Sequence, residues 1–199
     1  MNTFSTSLHT RIHQLFDERA AQAPDHPFLF MPDRVMTLGQ LAVQVDALEA
    51  ELREAGVRLG DRVLVAAENC PEHVALVLAC SRVGAWACGV NARMTASELA
   101  GFAAKADARV LYFTVGVSPA ARQHAAQYDT RESVLPALQR TLADPQATAQ
   151  TGDLAERVAA IIFTSGTTGQ PKGVMLTHAG LLQFGKVSAQ SRQLVPTDR

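Results

Sequence analysis

Apolar positions along this chain alternate between a helical period and short continuous runs, so helices and strands are predicted to follow one another. The clearest helix begins at a capping box of Thr37 and Gln40 and ends at Gly56. Its apolar stripe recurs every three or four residues: Leu38, Leu41, Val45, Leu48 and Leu52. Continuous apolar runs predict strands over residues 62–67, 85–90 and 109–113.

Turn and cap residues place the other elements between these strands. An opening helix is predicted to finish before Pro24, and residues 28–35 read as a hairpin. Pro71 suits the first turn of a helix that Gly84 ends, and Thr95 with Glu98 caps another helix. Repeated β-α-β alternation predicts an α/β fold in which helices cover a sheet.

The pattern weakens between residues 114 and 156. This segment is rich in Ala and Gln, and only residues 133–142 suggest a helix. We expect a surface excursion that leads back to the sheet, and we read Thr151, Gly152 and Asp153 as a turn.

Composition narrows the class of protein. The 199 residues are 47% hydrophobic and 19% charged, as in an ordinary globular core. A formal net charge of −1 argues against nucleic acid as the main partner. The sequence shows no signal-peptide pattern and no apolar run long enough to span a membrane. Three cysteines without metal-like spacing are expected to be reduced thiols in a cytoplasmic protein, and no metal site is expected.

The segment after residue 163 is where chemistry is expected. A strand-like apolar run over residues 158–163 gives way to ten residues with almost no hydrophobic content. These ten combine hydroxyls, glycines and one cation: Thr164, Ser165, Gly166, Thr167, Thr168, Gly169, Lys172 and Gly173 among them. Glycines let backbone amides converge on an anion, and hydroxyls and a lysine add donors and charge. The segment therefore predicts a phosphate-binding loop.

The spacing separates this loop from the P-loop of other nucleotide-binding proteins. A P-loop needs Gly, four residues and then Gly-Lys-Ser/Thr, but five positions after Gly166 stands Pro171, and Gly173 follows Lys172. The apolar residues from Val174 onward favour a strand rather than a helix. The expected geometry is strand, glycine-rich loop, strand. A hairpin connection that binds no ligand is the structural alternative.

The stretch TSGTTGQPKGV, followed by Met-Leu-Thr-His, resembles the signature loop of the acyl-adenylate-forming superfamily. That superfamily includes acyl-CoA synthetases, adenylation domains of nonribosomal peptide synthetases and firefly luciferase. Upstream blocks at residues 37–41, 60–63 and 84–99 also resemble the family, with Gln40 where Glu is usual. The resemblance implies an N-terminal part of the adenylate-forming fold across residues 1–199.

What the resemblance implies is ATP-dependent activation of a carboxylic acid. The carboxylate attacks the α-phosphate, pyrophosphate leaves, and the acyl group passes to a thiol of coenzyme A or of a carrier-protein phosphopantetheine. The loop residues would hold ATP phosphates, and Mg²⁺ would bridge phosphate oxygens. Coenzyme A is the expected acceptor and fatty-acid metabolism an expected setting; an adenylation domain of the peptide-synthetase type stays open.

Family members are more than twice as long, so the chain is expected to be an N-terminal fragment whose partner is the C-terminal portion of the same enzyme. Its missing parts would include the acyl pocket, most magnesium ligands and the adenylation lysine. No catalytic residue is expected within the chain, and the isolated chain is expected to be inactive. A truncated, non-catalytic nucleotide-binding or interaction module is the alternative.

Four residues outside the loop have structural interpretations. Thr177 could cap a helix, so His178 is read as structural. Trp86 is expected in the core, and Arg93 and Lys105 are expected on solvated faces.

Overall fold

Four parallel strands form the centre of the sheet in this computed structural model, which describes residues 9–164 and 172–195. They are β3 (Arg62–Ala67), β4 (Trp86–Asn91), β5 (Ala108–Phe113) and β8 (Val158–Thr164). Antiparallel strands flank the centre: β6 (Thr130–Glu132) and β7 (Gln139–Thr141) on one side, and β9 (Lys172–Thr177) on the other. The seven-stranded sheet has the order β6-β7-β5-β3-β4-β8-β9.

Helices cover both faces of this sheet, as the alternating pattern predicts. On one face, α1 (Ile12–Gln22), α2 (Leu38–Glu54) and α3 (Pro71–Val83) share a core with Val63 and Val65. On the other face, α4 (Ala96–Ala106) and α5 (Pro119–Ala125) share a core with Leu64 and Phe113. Because successive strand residues point to opposite faces, all six residues of β3 are buried. The remaining elements are the hairpin of β1 (Pro27–Phe30) and β2 (Val35–Thr37), and the helices α6 (Asp153–Arg157) and α7 (His178–Ser191).

Helix boundaries follow the local signals. The Thr37 hydroxyl accepts from the Gln40 amide, and the Gln40 side chain accepts from the Thr37 amide, so the predicted capping box is confirmed. Gly84 ends α3 with φ of 82°, and a side chain there would come within 2.8 Å of Leu59. The predicted strand over Arg62–Ala67 has the predicted bounds.

The prediction of a helix over residues 133–142 is wrong. Residues Gln139–Thr141 form β7, which pairs with both β5 and β6. Leu138 is fully buried in the core beside this strand. Pairing with the sheet outweighs a weak helical pattern because it satisfies backbone groups and buries this leucine. The segment 114–156 is therefore partly built into the sheet, and α5 and α6 within it were also not predicted.

Candidate phosphate-binding site

The strand–loop–strand geometry expected for the glycine-rich segment is confirmed by the strands on either side. β8 and β9 pair antiparallel, and Thr164 and Lys172 are the last partners before the loop. The Thr164 hydroxyl donates to the Lys172 carbonyl over 3.5 Å. Both residues are exposed. No helix opens directly after the loop, because β9 runs to Thr177 before α7 begins, and this excludes the P-loop arrangement.

Of the predicted site residues, the structure therefore brings Thr164 and Lys172 together at the mouth of the loop. The others lie outside the described residues: Ser165, Gly166, Thr167, Thr168 and Gly169. Their contact with phosphate stays a prediction.

The loop leaves the sheet at the carboxyl end of β8, beside β4. In open α/β sheets, ligands bind outside the carboxyl ends of parallel strands. A cavity of about 700 Å³ lies at this edge, between α3 and the ends of β3, β4 and β8. Its walls include small residues of the sheet: Ala87, Gly89 and Ala160. The cavity and the two ends of the loop, Thr164 and Lys172, thus lie at the same edge of the sheet.

The polar side chains at this cavity were missed by sequence reasoning: Glu68, Asn69, His73, Asn91 and Arg93. Glu68 and Asn69 directly follow β3, and Asn91 ends β4, so their position after buried strands was the available signal. Arg93 is exposed as expected, but its guanidinium also lies 3.3 Å from Glu68.

The charge states around the cavity follow from these contacts. Hydrogen bonds from Arg93 and Ser118 lower the pKa of Glu68, so this carboxylate is charged at neutral pH. Burial lowers the pKa of His73, so its imidazole is neutral there. Among the residues that the structure describes, no group of three or more His, Cys, Asp or Glu is arranged to hold a metal ion.

His178 has the structural role expected of it. Thr177 caps α7 by accepting from the Gly180 amide, and His178 is only 2% exposed. Its Nδ1 accepts from the Ile12 amide over 3.3 Å, which joins the starts of α1 and α7. Burial, with the nearby charges of Arg11 and His13, lowers the pKa of His178 to about 4. The neutral imidazole is thus a structural acceptor.

Trp86 and the cysteines also match their structural interpretations. Trp86 is 3% exposed and donates its indole N–H to the Ala155 carbonyl. All three cysteines are free thiols, and burial raises the pKa of Cys70 to about 11 and that of Cys88 to about 12. Such thiols are protonated at neutral pH and therefore weak nucleophiles. Within residues 9–164 and 172–195, no helix is long and apolar enough to cross a membrane.

Comparison with known proteins identifies the family. The model of the family described as "AMP-binding enzyme" matches residues 16–199. The chain belongs to the AMP-binding enzyme family. This membership confirms the resemblance to the acyl-adenylate-forming superfamily that the signature loop indicated, and the α/β fold is the one found in solved members.

The relatives of this chain include both a pyochelin synthetase and a CoA synthase. Pyochelin synthetase PchE of Pseudomonas aeruginosa is 34% identical over 192 residues, which cover 92% of this chain and 12% of that protein. Feruloyl-CoA synthase of an Amycolatopsis species is 34% identical over 163 residues, covering 82% and 32% respectively. The chain thus spans a third or less of the length of these curated relatives.

Solved structures show the same fold. The N-terminal subdomain of Klebsiella oxytoca NpsA, in complex with 3-hydroxyanthranilyl-AMSN, has a TM-score of 0.62 and 27% identity. That match covers 87% of this chain and 42% of the NpsA chain. VinN, solved with L-aspartate, has a TM-score of 0.72 and 21% identity. That match covers 96% of this chain and 55% of the VinN chain. The chain spans about half of each solved relative.

Proposed function

We propose that the enzyme containing this chain activates a carboxylic acid with ATP. A carboxylate oxygen attacks the α-phosphorus, the bond to the bridging oxygen breaks, and pyrophosphate leaves with the electron pair. The acyl-adenylate then passes its acyl group to a thiol and releases AMP. The observation that carries this proposal is the β8–β9 hairpin, which presents the family's signature loop at the carboxyl edge of a parallel sheet.

The loop's part in this reaction is to hold the β- and γ-phosphates. Hydroxyls, backbone amides and one cation can orient the leaving group and offset its charge. The residues proposed for this role are Thr164, Ser165, Gly166, Thr167, Thr168, Gly169 and Lys172. The pairing of Thr164 with Lys172 supports the proposal, because it brings a hydroxyl and a cation to the two ends of one loop.

Mg²⁺ is proposed to accompany ATP; it would offset the charge of the phosphates, and a loop threonine would help to hold it. Most protein ligands of the ion are proposed to come from the remainder of the enzyme rather than from this chain.

The acceptor thiol is proposed to be that of coenzyme A, as in the acyl-CoA synthetase class. Feruloyl-CoA synthase among the relatives supports this choice. Pyochelin synthetase PchE, equally identical to this chain, supports the second candidate, the phosphopantetheine of a carrier protein. With either acceptor, the proposed enzyme is an acid–thiol ligase.

Exposed apolar residues of β9 and α7 form a candidate contact surface for the remainder of the enzyme. β9 is an edge strand with Val174 and Met175 about half exposed, and on α7 the side chain of Phe184 is 71% exposed. The solved relatives carry about as much chain again as the matched part. We propose that this further part of the fold packs against the β9–α7 face, defined by Val174, Phe184 and Val187.

ATP–pyrophosphate exchange with a panel of aliphatic, aryl and amino acids tests the proposal. The natural gene product that contains this chain should exchange label with at least one acid, and the isolated 199 residues should not. Combined replacement Thr167→Ala, Thr168→Ala and Lys172→Ala should abolish the exchange. Unchanged ATP dependence after this replacement would refute the loop assignment. Nucleotide binding without exchange in the whole product would instead favour a non-catalytic module.

Once an acid is found, the acceptor follows from a second assay. Release of AMP with free coenzyme A, and not with a phosphopantetheinylated carrier protein, would support the coenzyme A proposal. The reverse result would assign the chain to the peptide-synthetase type.

A further inference from the structure

An aromatic contact lies at the start of the predicted phosphate loop. Phe163, the residue before Thr164, packs its ring against Phe102 of α4 with ring centroids 4.6 Å apart and planes tilted by 51°. Phe102 is 7% exposed and belongs to the core on the α4 face of the sheet. A tilted ring pair at this distance is favourable beyond the area it buries. The start of the loop is therefore attached to a core helix.

The other end of the loop is held against the same ring. Gly173 is the partner of Phe163 in the β8–β9 ladder. A Cβ added to Gly173 would lie 3.0 Å from Ile161 Cγ2 and 3.4 Å from Phe163 Cε1. The Ile161 and Phe163 side chains thus close over the backbone of Gly173, one residue after Lys172. Both ends of the loop meet at the Phe163 ring.

The helix that supplies Phe102 is fixed at both ends. At its start, Thr95 and Glu98 form a reciprocal capping box. At its end, the buried Arg62 guanidinium donates to the Ala106 and Asp107 carbonyls over 2.6 and 2.9 Å. A helix held in this way gives the Phe102 ring a defined position relative to the sheet.

We propose that Phe102 is a positioning residue for the phosphate loop: acting through Phe163 and Gly173, it sets the direction in which Thr164 and Lys172 present the loop. Phe102 itself is buried in the core and is not proposed to touch ATP. This inference rests on the proposed function of the loop. It predicts that changing a buried aromatic residue of α4, which does not touch ATP, weakens ATP use selectively.

The variant that tests this is Phe102→Leu, which keeps most of the apolar volume and removes the ring. The matched control is Phe113→Leu, because Phe113 is fully buried in the same core but packs on Tyr128, with centroids 5.4 Å apart. Phe102→Tyr retains the ring and should behave as the wild type. In the exchange-active enzyme, Phe102→Leu should raise KM for ATP about three- to tenfold, in line with the loss of one aromatic pair. KM for the carboxylic acid should change less than about twofold.

A second readout needs no activity. Trypsin can cleave the 199-residue chain after Lys172, next to Gly173, when the base of the loop opens. Phe102→Leu should accelerate this cleavage about three- to tenfold relative to Phe113→Leu, when rates are compared at matched urea unfolding free energies. If Phe102→Leu does not fold, Phe163→Leu takes its place in both assays.

The outcomes separate this inference from the function on which it rests. Equal effects of the Phe102 and Phe113 variants on ATP KM and on cleavage would overturn the positioning role, even if the Thr167, Thr168 and Lys172 replacement abolishes exchange. Retained ATP dependence in that triple variant would overturn the loop function itself. If Phe102→Leu accelerates cleavage after Lys172 more than Phe113→Leu does but leaves the KM for ATP unchanged, the proposal that Phe102 positions the loop for the nucleotide is also overturned.

Discussion

Replacement of Lys172 by alanine gives the most direct test of the loop. Lys172 is exposed, and its described contacts are made by the backbone pairing with Thr164. An exposed side chain of this kind changes stability by about 0.5 kcal/mol or less when it is truncated. A hydrogen bond to a charged partner contributes about 1.5–3 kcal/mol, so losing it should weaken ATP binding roughly ten- to a hundredfold.

The assay is the ATP dependence of pyrophosphate exchange in the active enzyme, with urea unfolding of the same variant. Lys186→Ala is the control, because it removes a lysine from the neighbouring helix α7 while leaving the loop unchanged. Lys172→Arg retains the charge and should recover part of the affinity. The Lys172 effect should shrink as ionic strength rises, since salt screens exposed charges.

A Lys172→Ala enzyme whose KM for ATP equals that of the wild type at low salt would exclude a phosphate-binding role for Lys172. If Lys172→Ala lowers the free energy of unfolding by several kcal/mol, Lys172 has a structural role, and this outcome would also contradict the prediction.

Three further predictions concern the rest of the chain. Phe184→Asp should abolish exchange in the whole enzyme by charging the β9–α7 face, whereas Val43→Asp, on the 68% exposed position of α2, should not; equal loss in both variants would contradict the proposed interface. Glu51→Ala should cost about 3–5 kcal/mol in urea unfolding, because buried Arg140, 3.4 Å from the carboxylate, would lose its partner; a cost below about 1 kcal/mol would show that the site relaxes. Since the pKa of His178 is about 4 in the folded chain, against an ordinary value of 6.5, the unfolded chain binds more protons between these values. Stability should therefore fall as pH drops from 6.5 to 4, and His178→Gln should remove about 3 kcal/mol of that dependence in unfolding titrations; an unaltered pH profile would contradict this assignment.

Local patterns predicted the elements whose signals lie within a few residues of one another. The capping boxes at Thr37 and Thr95 were predicted because both partners stand three residues apart. The helix stop at Gly84 follows from a left-handed backbone that glycine adopts without strain. The β8–β9 hairpin around the loop was predicted because apolar runs border a stretch of glycines and hydroxyls.

The candidate site was predictable only in part, because some of its residues come from segments that are distant in sequence. Thr164 and Lys172 were identified because they belong to one continuous motif. Glu68 follows β3, Asn91 ends β4 and His73 lies on α3. Only the parallel pairing of β3 and β4 and the position of α3 bring these three residues to one cavity. The Phe102–Phe163 contact, 61 positions apart in sequence numbering, likewise depends on how α4 packs on the sheet.

By itself, the sequence determined the central strands, the helices α1 to α4, their caps and the residue composition of the loop, because these depend on neighbours along the chain. The tertiary structure alone decided the strand order, the entry of Gln139–Thr141 into the sheet and the cavity beside the loop. These features depend on hydrogen bonds and buried contacts between distant segments, whose free energies do not appear in any local pattern.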